Sequence, residues 1–311
     1  MSVMRKVLLA MSTSPFLREQ ATKRAFVRRS VSAFMPGEKV EDALAAAATL
    51  KPQRINAILT RLGEGVTKLD EAERVTQHYL DALDKVRAAG LDAQISVKPT
   101  QLGLDLDPAQ CQQNLDRICE KAARLGNVPV WIDMENSPYV DPTLKLFRSS
   151  KERYAGVGIA IQAYLYRTAK DIESLIPLGP AVRIVKGAYL EPPDVAYPKK
   201  SDVDENFYTL CCRLMAPDAR KTGTLLHIAT HDTALADRLL AFIDQHKVPT
   251  SAYEFAMLYG IQRGQQQRLA QGGRPIRVLI SYGEYWYPWY MRRLAERPAN
   301  VTFVLKNLFG G

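Results

Sequence analysis

Eight short β-rich runs recur along the chain after about residue 50, and this spacing constrains the fold more than any other sequence feature. The runs are RINAILT at 54, AQISVKP at 93, VPVWIDM at 128, VGIAIQA at 157, AVRIVKG at 181, LLHIAT at 225, SAYEFAM at 251 and IRVLISY at 276. Segments with helical periodicity separate them, and one of these begins with Asp107 and Pro108 and closes on Gly126, as helices often do. Strand and helix alternating eight times predict an α/β fold, a (β/α)₈ barrel of the TIM type.

No linker rich in Pro, Gly or Ser interrupts the eight runs. We therefore expect an N-terminal helical segment at residues 1–50 and a single catalytic barrel domain at residues 51–311. No apolar run approaches the roughly 18 residues that span a bilayer, and the N-terminal apolar stretch is too short for a secretory signal. The sequence thus predicts a cytoplasmic protein.

The formal net charge of +9 suits several partners, including nucleic acid and an anionic membrane surface. Lysine and arginine are spread along the chain, and neither an RNA-binding aromatic motif nor zinc-finger spacing is present. The four cysteines, Cys111, Cys119, Cys211 and Cys212, also lack the spacing of a zinc site. We therefore expect no metal, and nucleic acid is the least favoured partner.

Alternation of aliphatic residues along the strands predicts which side chains point into the barrel. If Ile95 and Val97 face the helices, Lys98 points inward, and the same rule applies to four further polar residues: Asp133, Gln162, Arg183 and His227. Buried charges need partners, and most of these positions lie near the C-terminal ends of strands, where barrel enzymes build their active sites. An alternative is a structural ion pair between Lys98 and Asp133.

Seven motifs in a fixed order carry a resemblance to a known family: SVKP, IDME, QAYLYR, VRIVKGAYLEP, ATHD, EFAMLYG and RRLAERP. From about residue 50 to the C-terminus the chain resembles proline dehydrogenase. The resemblance implies a distorted (β/α)₈ barrel with a C-terminal lid helix and non-covalently bound FAD. It also implies oxidation of L-proline to Δ1-pyrroline-5-carboxylate, with electrons passing to a quinone.

The stretch YPWYMRRLAERP places Arg292 and Arg293 side by side near the C-terminus. The resemblance implies that these two side chains bind the substrate carboxylate, a group that guanidinium forks match well. It also implies that Glu64 pairs with Arg292 as a gate when substrate is absent. The other expected substrate-binding residues are Lys98 and Asp133, expected to pair with each other, and Tyr189, Leu258, Leu279 and Trp289.

The same resemblance implies a cofactor site at the ends of the middle strands. Its expected residues are Gln162, Arg183, Val185, Lys186, Gly187, Ala188, Tyr189, Leu190, Thr230, His231, Asp232 and Glu296. Arg183 would contact the flavin N5 edge, where a positive charge helps to set the reduction potential, and Gly187 would permit close backbone approach. The expected catalytic residues are Arg183, Lys98 and Asp133.

Three positions depart from the family pattern. Leu279 and Trp289 stand where proline dehydrogenases commonly have tyrosine, and Leu190 stands where some members have tryptophan. The substrate half of the expected site is therefore less typical than the cofactor half. A related cyclic imino acid such as hydroxyproline is the alternative substrate.

Two other classes of function remain open from the sequence. A phosphate-binding barrel aldolase would use Lys98 or Lys186 as a Schiff-base lysine, and a nucleic-acid-binding protein would use YGEYWYPWYMRR as a stacking surface. The resemblance instead implies a quinone, peripheral contact with the inner face of a membrane, and a pyrroline-5-carboxylate dehydrogenase as partners.

Overall fold

Eight parallel strands close into a barrel in which each strand pairs with the next in sequence and the last pairs with the first. The computed structural model describes residues 31–296 apart from Glu64 and Asn127, and it describes no side chain beyond Met291. The strands are β1 (Asn56–Arg61), β2 (Ala93–Val97), β3 (Val130–Ile132), β4 (Val157–Gln162), β5 (Ala181–Val185), β6 (Leu225–Ala229), β7 (Tyr253–Leu258) and β8 (Ile276–Tyr282). All eight predicted strands are confirmed, in the predicted order.

Ten α-helices lie in the described part of the chain. They are α1 (Val40–Leu50), α2 (Leu69–Ala88), α3 (Pro108–Arg124), α4 (Val140–Lys151), α5 (Thr168–Leu175), α6 (Lys200–Leu214), α7 (Pro217–Lys221), α8 (Thr233–Gln245), α9 (Arg263–Gln271) and α10 (Trp286–Glu296). The local sequence explains the ends of α3. The Asp107 side chain accepts hydrogen bonds from two backbone N–H groups of the first turn, and Gly126, with φ of +99°, follows the last turn.

Helix α1 precedes the barrel and covers its outer face where β1 pairs with β8. It packs against both of these strands. Val40, Ala43 and Leu50 of this helix are buried in the barrel's hydrophobic core. The predicted division into residues 1–50 and 51–311 stays a prediction, and residues 1–30 lie outside the described part of the chain.

The last helix is anchored to the segment that precedes α1. Trp286 Nε1 donates a hydrogen bond to Glu38 Oε1 at 3.1 Å, and the Tyr290 ring lies 6.4 Å from the Phe34 ring. The contacts of α10 that the structure describes therefore reach back to residues 34–38. No helix within the described residues combines the length and apolar character needed to cross a bilayer.

The barrel interior is polar near the N-terminal ends of its strands. Arg277 Nε donates to Glu254 Oε2 at 2.9 Å, and the same oxygen lies 3.1 Å from His227 Nε2. The His227 ring lies 4.2 Å from the Trp131 ring, which also packs against Gly158. A Cβ atom at residue 158 would lie 2.7 Å from the indole, so a glycine on β4 makes room for the tryptophan.

Candidate active site

Arg183 lies at the centre of the site, buried within the barrel on β5. Its Nη2 atom donates to Asp133 Oδ1 and, at 2.8 Å, to Ser96 Oγ, which itself donates to Asp133 Oδ1 at 2.9 Å. Ala160 on β4 is the register partner of Arg183, and its small side chain lets the guanidinium reach β3. Ser96 on β2 and Asp133, directly after β3, therefore fix one face of this arginine.

The electrostatics of Arg183 favour a bound anion or acceptor. Burial lowers the pKa of its guanidinium, but the Asp133 carboxylate opposes that effect, and arginine stays protonated in proteins. Its Nη1 atom is buried and has no hydrogen-bond partner among the residues that the structure describes. Because an unmade hydrogen bond from a buried charged donor is costly, Nη1 is suited to a ligand acceptor.

The segment after β5 crosses the end of β4. Ala163 N donates to Val185 O at 2.8 Å, and Tyr164 N donates to Lys186 O at 3.0 Å. Gly187 has φ of +117°, and a Cβ atom there would lie 2.4 Å from the Tyr164 ring. Only glycine fits this conformation and this close approach without a shift of the neighbouring ring.

Glu191 ties the same segment to the loop after β3. Its two carboxylate oxygens accept from Ser137 N at 2.7 Å and Ser137 Oγ at 2.6 Å. Leu190, next to this clamp, is 57% exposed. The clamp therefore fixes the path of residues 187–191 while the Leu190 side chain projects outward.

Lys186 joins the ends of β5 and β6. Its Nζ atom lies 2.5 Å from Asp204 Oδ1 and 3.0 Å from Asp232 Oδ2. Burial raises the pKa of the Asp232 carboxyl, but hydrogen bonds from Lys186, the Leu235 N–H and Lys200 lower it to about 2. Asp232 therefore carries a negative charge at neutral pH and begins α8 as its N-cap.

Thr230 and His231 complete the edge at β6. Thr230 Oγ1 accepts from Asp232 N at 3.1 Å, and His231 Nε2 accepts from Leu258 N at 2.9 Å. Since Nε2 accepts a hydrogen bond, the proton of a neutral His231 ring lies on Nδ1. The end of β6 is thereby held against the end of β7.

Comparison with known proteins identifies the family of this barrel. A family model described as "Proline dehydrogenase" matches residues 43–306. The chain belongs to the proline dehydrogenase family. Members of this family are oxidoreductases that act on proline and depend in general on a flavin.

Relatives of full length support the assignment to the proline dehydrogenase family. The chain is 34% identical over 306 residues to "Proline dehydrogenase 2" of Bacillus subtilis (strain 168), covering 98% of this chain and 99% of the relative. It is 35% identical over 306 residues to "Proline dehydrogenase 1" of the same strain, with the same coverage of both chains. "Proline dehydrogenase" of Deinococcus radiodurans is 34% identical over 312 residues, which cover 99% of this chain and 98% of that protein.

Solved structures share the fold of the proline dehydrogenase barrel. The proline utilization A protein (PutA) of Bdellovibrio bacteriovorus, inactivated by N-propargylglycine, matches with a TM-score of 0.79 at 22% sequence identity. The match covers 86% of this chain but 32% of that PutA. A PutA of Bradyrhizobium japonicum gives a TM-score of 0.74 at 21% identity, covering 89% and 32%. This chain spans about a third of the length of both PutA proteins.

The cofactor residues expected for a proline dehydrogenase lie together at the C-terminal ends of neighbouring strands. Gln162 ends β4, Val185 ends β5, and Thr230 follows β6. Gln162 is buried, and its Nε2 donates to the backbone oxygen of Glu135 at 2.9 Å. The unpartnered Nη1 of Arg183 and the positive φ of Gly187 fit a flavin ring lying against the end of β5. Glu296 ends α10, but its side chain lies outside the described residues.

The structure describes part of the expected substrate half of the site. Leu258 ends β7 and is the register partner of Leu279 in the middle of β8, and Trp289 is buried on α10. Lys98 is half-buried and begins a short 3₁₀ turn (Pro99–Leu102). Asp133 forms an ion pair with Arg183. The expected pairing of Lys98 with Asp133 stays a prediction.

Two parts of the expected substrate site cannot be placed. Glu64 lies outside the described residues, as do the side chains of Arg292 and Arg293, although the helix that carries both arginines is present. The gate between Glu64 and Arg292 therefore stays a prediction.

Sequence reasoning missed residues that support the site. Ser96 binds Arg183 and Asp133, and Trp131 lies beneath the guanidinium. Strand alternation offered a signal, because Ser96 shares the inward parity of Lys98, and Trp131 shares that of Asp133. For the Glu191 clamp the sequence offered none, because its partner lies on a different loop.

Proposed function

We propose that this chain is an FAD-dependent proline dehydrogenase that oxidises L-proline to Δ1-pyrroline-5-carboxylate, the first step of proline catabolism. The observation that carries the proposal is the buried Arg183 guanidinium, held by Asp133 and Ser96 with its Nη1 atom unpartnered among the described residues. A fixed cation that meets Asp133, directly after the C-terminal end of β3, suits a site where negative charge develops during reaction.

The residues proposed to hold FAD divide into two groups. Those proposed beside the isoalloxazine ring are Gln162, Arg183, Val185, Lys186, Gly187, Ala188, Tyr189 and Leu190. Those proposed beside the pyrophosphate and adenosine are Thr230, His231, Asp232 and Glu296. Bound FAD would supply the capacity to accept a hydride from the ring carbon next to the proline nitrogen.

The chain's own residues would bind and orient the substrate. Arg292 and Arg293 bind the carboxylate through paired N–H groups, and this fixes the ring carbon at one distance from the cofactor. Lys98 and Asp133 line the pocket, and Arg183 stabilises negative charge that develops beside it. Glu64 competes with the substrate carboxylate for Arg292, so that the gate opens as proline binds.

The Schiff-base alternative fits less well. Two carboxylates, Asp204 and Asp232, hold Lys186, which leaves its amine poorly placed to attack a carbonyl group. For the acceptor we propose a quinone, reached on the inner face of a membrane, and for the next enzyme a pyrroline-5-carboxylate dehydrogenase that consumes the product. Hydroxyproline is a second candidate substrate, because leucine at position 279 leaves more space than tyrosine.

An anaerobic titration tests the proposal. The purified protein should be yellow, and L-proline should bleach its flavin absorbance, whereas pyrrolidine, which lacks the carboxylate, should not. Denaturation without proteolysis should release FAD, identified by chromatography and mass. A colourless protein that takes up no added FAD contradicts the flavoenzyme proposal, and a yellow protein that proline does not bleach contradicts the substrate.

A further inference from the structure

The buried hydroxyl of Thr100 connects two loops at the barrel mouth. Thr100 is 4% exposed, and its Oγ1 donates to Glu135 Oε1 at 2.7 Å while accepting from Gly65 N at 3.2 Å. A hydroxyl group can donate and accept at once, which an aliphatic side chain of the same shape cannot do. Thr100 therefore links the loop after β1 to the loop after β3.

Further hydrogen bonds strengthen this connection on the β1 side. Val66 N donates to Thr100 O at 3.4 Å. The neighbouring Gln101 side chain donates from Nε2 to Arg61 O at 3.1 Å and to Gly63 O at 2.7 Å. The backbone on both sides of residue 64 is thus bound to the turn that begins at Lys98.

Glu135 holds the other end of the connection. It is 4% exposed, and its second carboxylate oxygen, Oε2, accepts from Thr100 N at 3.0 Å. The two bonds to Thr100 fix the turn immediately after Lys98, and they help to offset the desolvation of a buried carboxylate. The backbone oxygen of Glu135 also accepts from Gln162 Nε2, so the same residue contacts the proposed flavin side.

We propose that Thr100 and Glu135 are positioning residues for substrate binding. Their paired hydrogen bonds hold the loop after β1 and the Lys98 turn in one arrangement, so that the side chains these loops carry meet the substrate pre-oriented. This inference rests on the proposed function for its kinetic consequence, although the bracing of the loop is independent of it.

A set of threonine variants tests the proposal. Thr100→Val keeps the side-chain shape and removes the hydroxyl, whereas Thr100→Ser keeps the hydroxyl. Thr76→Val is the matched control, because Thr76 Oγ1 is also buried and donates to Ala72 O at 2.8 Å within α2. Turnover of proline by each full-length, FAD-loaded variant is measured together with amide hydrogen exchange of residues 62–66 without substrate.

We expect Thr100→Val to raise KM for proline about tenfold, the size of effect that loss of one buried hydrogen bond produces. We expect kcat to change by less than about twofold, because Arg183 and its partners are untouched. Amides 62–66 should exchange faster in Thr100→Val than in the wild type. Thr100→Ser should restore both properties, and Thr76→Val should alter neither.

Two outcomes would overturn the inference: amides 62–66 exchange equally in Thr100→Val and the control, or KM is the same in both. If Thr100→Val does not fold, Glu135→Gln takes its place and should shift the exchange and KM in the same direction. A wild type that does not oxidise proline would refute the proposed function instead. The exchange comparison would still test whether Thr100 restrains the loop after β1.

Discussion

The guanidinium carbon of Arg183 lies 5.0 Å from the centre of the Trp131 ring. The indole is itself fixed, because its Nε1 donates to Gln94 Oε1 at 2.6 Å and its ring packs against the Cα of Gly158. A cation over a buried tryptophan gains electrostatic attraction from the ring face. Arg183 is therefore held from below by Trp131 and from one side by Asp133 and Ser96, which leaves Nη1 for a ligand.

Replacing Arg183 should impair turnover while the barrel stays folded. Arg183→Ala removes the fixed charge and leaves the Asp133 carboxylate without its ion-pair partner. We therefore expect kcat/KM to fall by a factor that corresponds to about 2–4 kcal/mol, and we expect flavin to bind more weakly. Arg183→Lys should recover little, because an ammonium cannot bond Asp133 and Ser96 and stack on Trp131 together. Flavin content, steady-state kinetics and circular dichroism measure these effects. Unchanged turnover in Arg183→Ala would refute the role of this arginine.

Gly187→Ala should disturb the cofactor side of the site. The new Cβ atom would lie 2.4 Å from the Tyr164 ring, at a residue with φ of +117°. Gly223→Ala is the matched control, because Gly223 has φ of +89° and no atom within 4 Å of the added Cβ. Both variants carry backbone strain of about 1–3 kcal/mol, but only Gly187→Ala adds a steric clash. We expect reduced FAD affinity, measured by fluorescence titration, in Gly187→Ala alone. Equal affinities in the two variants would show that the clash is relieved without moving the flavin site.

The order of the strands could be predicted from the sequence because it depends on local periodicity. Their exact lengths could not. The predicted run at 128–134 narrows to β3 at Val130–Ile132, and the run predicted at 251 begins at Tyr253, because residues 250–252 form a 3₁₀ turn. In both strands the backbone hydrogen bonds of the barrel decide where the strand begins and ends. Those hydrogen bonds depend on the neighbouring strands.

Alternation along the strands also predicted which side of the sheet Asp133 and Arg183 occupy. It did not predict that they would pair with each other, because partner choice depends on the stagger of strands around the barrel and on the small Ala160 between them. The contact between Gly187 and Tyr164 joins two separate loops and is equally invisible to local patterns. The cofactor assignments depended on the resemblance to the family.

The two arginines of α10 should each contribute to binding of the substrate carboxylate. Arg292→Ala and Arg293→Ala should raise KM for proline and lower kcat/KM by about 2–4 kcal/mol, the loss expected when one partner of a buried charge pair is removed. Flavin content should change little in both. The measurement is steady-state kinetics with proline at several concentrations. Wild-type kcat/KM in either variant would mean that this arginine lies away from the substrate.

The ionic cluster inside the barrel should make stability depend on pH. Burial raises the pKa of Glu254, but the adjacent His227 and the charge of Arg277 outweigh it and hold the pKa below 4.5. Burial holds the pKa of His227 below 6.5, although Glu254 opposes the shift. The contribution of Glu254 is present above pH 4.5 and is lost as pH falls through its folded-state pKa. Below pH 6.5 the unfolded chain protonates His227 while the folded chain does not, so acid again destabilises the fold.

We therefore expect the free energy of unfolding to fall as pH is lowered from 7 to about 4, measured by urea titration at each pH. Glu254→Gln should be less stable by about 1–3 kcal/mol at pH 7, because among the described residues Arg277 then keeps Asp92 alone as an ionic partner, at 2.8 Å. Below pH 4.5 its stability should depend less on pH than that of the wild type, because the carboxyl that takes up a proton there is gone. Asp244→Asn, which breaks the ion pair between an exposed carboxylate and Arg274, is the control and should leave the pH profile unchanged. Identical pH profiles of the unfolding free energy for the wild type and Glu254→Gln would show that the ionic cluster is not the source of the pH dependence.

The last prediction concerns the width of the substrate pocket. Leu279 lies on β8 in register with Ile58 on β1 and Leu258 on β7, and it shares the inward parity of Arg277 and Ser281. A tyrosine at this position would present a rigid ring and a hydroxyl, whereas leucine is shorter and has no polar tip. We therefore expect this protein to discriminate less between proline and 4-hydroxyproline than a tyrosine variant does.

Leu279→Tyr should restore discrimination by about 1–3 kcal/mol, the usual effect of filling a pocket by a few atoms. The measurement is the ratio of kcat/KM for proline and 4-hydroxyproline in the wild type and in the variant. Leu279→Phe is the matched control, because it adds the ring without the hydroxyl and separates the effect of size from that of hydrogen bonding. Trp289 is buried on α10, the helix that follows β8, and a double variant tests whether its side chain fills the same space. If the ratio stays constant in Leu279→Tyr and rises in Leu279→Tyr combined with Trp289→Tyr, the tryptophan sets the pocket width. If it stays constant in both variants, position 279 does not set specificity.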